Sequence, residues 1–280
     1  MTLSSAAVLV ADAVARGRAV PAFNVITLEQ AEAVVGGASD AGVGALLQLS
    51  QNAISFRQGF APLLAACREL AAAASVPVGI HLDHLEDAEL ALDVIARAPE
   101  LGVGSLMFDR ATLPYAENAT LTASVAHAAH AAGLWAEGEL GEVGGKDGAH
   151  APGVRTDPDE AVAFVAVTGL DLLAVAVGSS HAMQQRTAAL DLDLIARLAA
   201  AVPVPLVLHG SSGVPDAVLS DAVAAGIRKV NVGTVLGVVG TARLREELAA
   251  RPDAVDPRKY LAGMREATRD EVARVAALVG

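Results

Sequence analysis

An α/β fold, with eight parallel strands closed into a barrel, helices outside them and additional helices at the C-terminal end, is the architecture the sequence predicts. Three observations lead there. Short apolar runs alternate with Ala-rich helical patterns along most of the 280 residues, at roughly 25 to 40 residues per strand–helix pair. Hydrophobic residues make up 53% of the chain but aromatic ones only 3%. The core must therefore be built from Ala, Val, Leu and Ile, which suits helices packed closely on a sheet buried on both faces. Finally, three of the apolar runs lead into a histidine, where a barrel would surface its reactive groups.

The strands are expected at 20–25, 44–50, 76–83, 104–109, 134–140, 172–178, 204–209 and 227–232. Eight suffice for a (β/α)8 TIM barrel. Between them, Thr27 reads as an N-cap for a helix over 28–34, and Asp157-Pro158 as a cap followed by proline at the first helical position. The segments 60–74, 87–98 and 113–132 read as helices too. After the eighth strand, 242–250 and 258–279 are helical with no further strand, a tail suited to bracing the barrel or meeting a partner subunit. No linker or composition shift divides the chain, so residues 1–280 are read as one domain. The Gly-rich stretch 138–150 reads as a long loop over the strand ends.

A net charge of -12 and the absence of Lys/Arg runs argue against a nucleic-acid groove. No stretch approaches the ~18 apolar residues needed to span a bilayer, and the N-terminus lacks the pattern of a signal peptide. A soluble cytoplasmic protein is expected, without nucleic-acid or membrane partners. The single cysteine, Cys67, reads as a small core residue.

The chemistry gathers around His81-Leu82-Asp83-His84, an apolar run ending in an acid and an imidazole. His181 and His209 follow two later runs. Each alone is most simply a hydrogen-bonded structural histidine. If their strands are neighbours in one barrel, the three converge, with Glu139 ending a fourth strand, as ligands for a Lewis-acid metal such as zinc. Asp83 then serves either as an acid/base group or as an acceptor orienting a histidine. His81, two residues earlier, shares the Asp83 side of the strand and reads as structural or supporting. Gly210-Ser211-Ser212-Gly213 and Gly233-Thr234 follow the seventh and eighth strands, the usual place for a phosphate in such barrels.

These motifs, together with Ala22-Phe23-Asn24, Glu137-Gly138-Glu139-Leu140-Gly141, Gly178-Ser179-Ser180-His181, Lys229-Val230-Asn231 and Asp256-Pro257-Arg258-Lys259-Tyr260, give a sequence that resembles the class II, metal-dependent ketose-bisphosphate aldolases over nearly its whole length. The resemblance implies one catalytic Zn2+ per subunit on His84, His181 and His209, with Glu139 holding an alternative metal position, and it leaves room for a monovalent cation. It implies Asp83 as the acid/base at the aldehyde oxygen, Asn231 as the amide that steadies an enediolate, and Asp147 where the family carries a proton-transferring glutamate. Asn24, Ser50, Gly210, Ser212, Gly213, Gly233 and Thr234 would contact a phosphorylated ketose, and Arg258 its distal phosphate. A homodimer or homotetramer is implied as well.

Three departures matter. The family continues after this histidine with Gly-x-Tyr-Lys, whereas Ala182-Met183-Gln184-Gln185 stands here, with Arg186 as the nearest cation. Val235 replaces a common acid, and Arg110-Ala111 a Gly-Ser pair. Two alternatives stay open on sequence: a phosphosugar-binding or regulatory protein without turnover, and a Schiff-base aldolase using Lys229.

Overall fold

The computed structural model describes residues 2–141 and 154–280. All eight apolar runs are strands: β1 (Val20–Asn24), β2 (Ala45–Ser50), β3 (Val78–Leu85), β4 (Ser105–Phe108), β5 (Trp135–Leu140), β6 (Leu172–Val175), β7 (Leu206–Leu208) and β8 (Ile227–Val232). They pair in sequence order, every neighbour parallel, and β8 closes on β1. The (β/α)8 barrel expected from the alternation is therefore the observed fold.

Around it lie α1 (Ala6–Ala15), α2 (Leu28–Ala41), α3 (Gln51–Arg57), α4 (Ala61–Ala73), α5 (Ala88–Leu101), α6 (Tyr115–Ala131), α7 (Pro158–Thr168), α8 (Leu192–Ala201), α9 (Asp216–Ala225), α10 (Thr234–Ala250) and α11 (Arg258–Val279). Local chemistry sets many of their ends. Thr27 and Gln30 form a reciprocal capping box at α2, and Asp157 caps α7 ahead of Pro158. Such caps contribute about 1 kcal/mol each. Asp87 and Asp191 cap α5 and α8 in the same way.

Period-two alternation sorts the barrel interior into an apolar floor and a polar roof. Ala22, Leu46, Met107, Leu172, Ala174 and Val207 pack with Ala6, Leu9, Val10 and Ala13 of α1, which plugs the N-terminal end. Polar residues from β1, β2, β3, β5 and β8 fill the interior above that floor: Asn24, Gln48, His81, Asp83, Glu137, Glu139, Lys229 and Asn231. That roof faces the C-terminal end, where the site lies.

Two expectations need correction. The helix after β8 begins at Thr234, not at 242, because Val235, Val238, Val239, Gly237 and Gly240 hide its helical signal while tertiary packing overrides their low propensity. The seven-residue α3 was not foreseen; it is started by Ser50, whose Oγ accepts from the Ala53 N–H. The C-terminal tail braces the barrel. α11 lies on α2 where Gly37 leaves so little room that a methyl group would stand 2.4 Å from the Arg269 carbonyl oxygen. Arg265 and Arg269 reach across to Glu32 and Asp40.

Candidate active site

Strand alternation would send Asp83 inward and His84 outward. The chain avoids this by placing His84 in the left-handed region, φ 48°, with a register shift between Leu82 and Leu85 against β4. A non-glycine residue held there costs about 1–3 kcal/mol. Both side chains consequently reach the barrel mouth. The His84 Nδ1–H donates to Asp109 Oδ2 at 2.7 Å, so Nε2 carries the lone pair.

His209 is fixed in the opposite sense. Its Nε2–H donates to Glu137 Oε1 at 3.0 Å, leaving Nδ1 as the acceptor, 2.9 Å from His84 Nε2. Two lone pairs aimed at each other repel unless a cation lies between them. His181, from the loop after β6, completes the group, its ring centroid 4.9 Å from that of His84 and 5.6 Å from that of His209. Gly210 lets this happen: at φ 67° it passes so close beneath Ser180 that any Cβ would stand 2.6 Å from the Ser180 backbone. Ligand atoms of His84, Glu139, His181 and His209 all lie within 4.8 Å of one another. Three imidazoles and a carboxylate, two of the rings oriented by carboxylates behind them, fit a divalent metal ion.

Beneath this group runs a buried hydrogen-bonded chain. Glu137 Oε2 accepts from Lys229 Nζ at 2.8 Å, and Lys229 also donates to Asn231 Oδ1 at 2.8 Å. That turns the Asn231 Nδ2 toward Asp83 Oδ1, 3.1 Å away, while Asn24 Nδ2 donates to Asp83 Oδ2 at 2.7 Å. Gln48 in turn donates to Asn24. Burial alone would raise the Asp83 pKa, but His84, His209 and Lys229 outweigh it and hold the carboxyl below its ordinary range. Burial, assisted by Lys229, keeps His81 neutral with a pKa near 3. Burial likewise lowers His209, which favours the unprotonated imidazole a metal needs.

Above the histidines opens a cleft of about 680 Å³. Of the residues expected from sequence, Asn24, Ser50, Asp83, His84, His181, His209, Gly210, Ser212, Asn231, Gly233 and Thr234 line it. Glu139 joins the three histidines in a group that could hold a metal ion. Gly213 lies underneath, against Met183, and not on the lining. Arg258 is turned outward, its side chain 90% exposed and paired with Asp256. Asp147 lies outside the described residues. Arg186 does not replace the missing lysine: it is bound to Asp216 and Glu271, which also hold Arg274. Lys229 is fully buried and donates to Glu137 and Asn231 below the cleft, which speaks against a Schiff-base role.

The sequence profile described as fructose-bisphosphate aldolase class-II matches residues 4–280. The chain belongs to that family. This aldolase is a carbon–carbon lyase, and solved structures agree. It is similar to the YdjI aldolase from Escherichia coli K12, with 30% identity and a TM-score of 0.85 over 99% of this chain and 97% of that one. A Coccidioides immitis protein provisionally identified as a fructose-1,6-bisphosphate aldolase shares 28% identity, with a TM-score of 0.88 over 98% and 95% of the two chains. The Campylobacter jejuni fructose-bisphosphate aldolase, at 21% identity, TM-score 0.82 and coverage of 98% and 93%, shares the fold. Among the described residues no helix of this aldolase is long and apolar enough to cross a membrane.

Sequence reasoning passed over Asp109 and Glu137, the two carboxylates that orient the histidines. The available signal was parity: Glu137 stands two residues before Glu139, on the same side of β5.

Proposed function

We propose that this aldolase is zinc-dependent and reversibly cleaves a ketose phosphate to dihydroxyacetone phosphate and an aldehyde. The observation that carries the reading is the meeting of His84, His181 and His209 beside Asp83, the acid held by Asn24 and Asn231. His84, His181 and His209 would hold the ion, with Glu139 able to hold it in an alternative position. Zinc suits a set dominated by imidazoles with one open position.

In the cleavage direction, Asp83 takes the proton from the hydroxyl on the carbon that becomes the aldehyde. The carbon–carbon bond breaks and leaves its electron pair on the carbon next to the ketone, as an enediolate. When bound, a divalent cation supplies the electron sink for that charge. Asn231, fixed by Lys229, directs its amide N–H groups toward the same region and steadies the developing oxyanion. Protonation of the carbanion carbon completes dihydroxyacetone phosphate; by the resemblance Asp147 would deliver that proton. The phosphate is seated by the Gly210–Ser212 turn and the start of α10, where no side chain caps the helix at Gly233. The same reading takes the enzyme as a cytoplasmic homodimer or homotetramer.

The test is direct. Zinc-loaded protein should release triose phosphate from a ketose phosphate, lose activity in chelator and recover it with zinc. Asp83→Ala should keep its zinc by elemental analysis while losing about 10²–10⁴-fold in kcat, the range ascribed to a positioned acid/base. An unchanged rate removes Asp83 from the mechanism.

A further inference from the structure

The three histidines are carried differently. His84 lies within β3 and His209 directly follows β7, whereas His181 stands in the loop of residues 176–191 between β6 and α8. Beside it Ala182 has φ 57°, a left-handed backbone that a residue with a Cβ adopts only where its surroundings hold it. What fastens this loop therefore decides where the third imidazole stands.

The base of the loop is fastened by backbone. Gly178 passes so close to the returning chain that a Cβ would stand 2.4 Å from the Ala189 carbonyl oxygen, and the Asp191 N–H donates to the Val177 carbonyl oxygen at 2.9 Å. Further out, Met183 packs on Gly213, and the Ala188 N–H donates to the Gly213 carbonyl oxygen at 2.9 Å. Between these two contacts the loop is held by charge. Arg186 reaches Asp216, the first residue of α9, and Glu271 on α11. Arg274 bonds the same two carboxylates, Nη1 to Asp216 at 2.6 Å and Nη2 to Glu271 at 2.7 Å. The four groups form a closed ring of alternating charge. A lone exposed ion pair contributes little, but here each carboxylate serves two guanidinium groups, and the Glu271 side chain is only 12% exposed. Without Arg186, Arg274 still supplies both acids with a counter-charge, so the effect of Arg186 on the loop is separable from an effect on folding.

We propose that Arg186 is a positioning residue of the metal site: by tying residues 182–188 to α9 and α11 it holds the His181 imidazole in ligand position. The inference rests on the reading of His84, His181 and His209 as a zinc site and names a residue on which that site depends.

The experiment is a zinc competition titration of the full chain and of three variants, Arg186→Met, His181→Ala and the two combined, with the Tm of each zinc-free form recorded. Arg186→Met should weaken zinc binding by about tenfold, as expected for a group that orients a ligand, with Tm within about 2 °C of the parent chain. Added to His181→Ala, the same substitution should change zinc affinity by no more than about twofold, because the ligand it positions is already gone. An unchanged affinity in Arg186→Met overturns the inference and leaves the metal reading standing. An equal loss in both backgrounds also overturns it, since Arg186 would then act on the site as a whole and not through His181. Arg186→Lys keeps the charge but lacks the planar fork that serves both carboxylates, and should lie between the parent chain and Arg186→Met. Should Arg186→Met lower Tm further than stated, the same comparison is read with Arg186→Lys, where an unchanged affinity overturns the inference. Failure of the parent chain to bind zinc sinks the metal reading and the inference together.

Discussion

Replacing Lys229 with methionine keeps the side-chain length and removes a charge the barrel interior cannot replace. Lys229 and Glu137 are both fully buried, 2.8 Å apart. At an effective dielectric near 20 their attraction is about 6 kcal/mol, most of which offsets the cost of taking two ions out of water. Removing one partner therefore costs about 3–5 kcal/mol, a large share of the roughly 5–15 kcal/mol that stabilises a domain. Equilibrium urea unfolding measures this loss. Combining Lys229→Met with Glu137→Gln should recover part of it, because no ion is then left unpaired. The pH dependence follows. Burial raises the Glu137 pKa, but Lys229 and His209 outweigh it and hold the carboxyl at about 2 instead of 4.5. A depressed carboxyl stabilises the fold above pH 4.5 and loses that contribution as pH falls toward 2. Lys229→Met should lose this part of the acid transition. The variant should also show a changed His209 tautomer by nitrogen NMR, since Glu137 is then free to take up a proton. A stability loss under about 1 kcal/mol, or a double variant no more stable than the single one, would refute the account of Lys229 as the counter-charge of the roof.

Three further outcomes are expected. Asp109→Ala, which frees the His84 ring, should weaken zinc binding by about 10–100-fold in a competition titration while the far-ultraviolet spectrum stays unchanged. Gly37→Ala should lower stability by about 1–3 kcal/mol, seen as a reduced Tm, because α11 has to move off α2 to admit the methyl group. Cys67, whose thiol burial pushes up to about 12, should resist iodoacetamide at pH 8 in the folded protein and react once urea unfolds it; fast labelling of the native form would contradict its place in the core.

The polar roof explains how one barrel carries both rigidity and reactivity. Its floor is sealed by α1 and small aliphatic side chains, so the buried ions above it have no access to water from below. Each must be satisfied by another strand. Glu137 on β5, Lys229 and Asn231 on β8, Asp83 on β3 and Asn24 on β1 are hydrogen-bonded across the interior. The strain at His84 is maintained by this surrounding network, as a residue in a disfavoured backbone region requires.

The alternation of strand and helix, the caps at Thr27 and Asp157, the inward parity of His81 and Asp83 and the histidines closing three runs were all legible in the chain, because periodicity and capping act over a few residues. The family could be read for the same reason: its motifs are short and ordered. Contacts between distant segments were not legible. That Asp109 and Glu137 aim the imidazoles, that Lys229 neutralises an acid 92 residues away, that Arg186 turns to α9 and α11, and that α1 plugs the barrel floor are decided only when β8 closes on β1. A ring of eight strands brings every C-terminal end to one mouth, and which side chains then meet depends on register and on the left-handed turn at His84, neither of which a local pattern encodes.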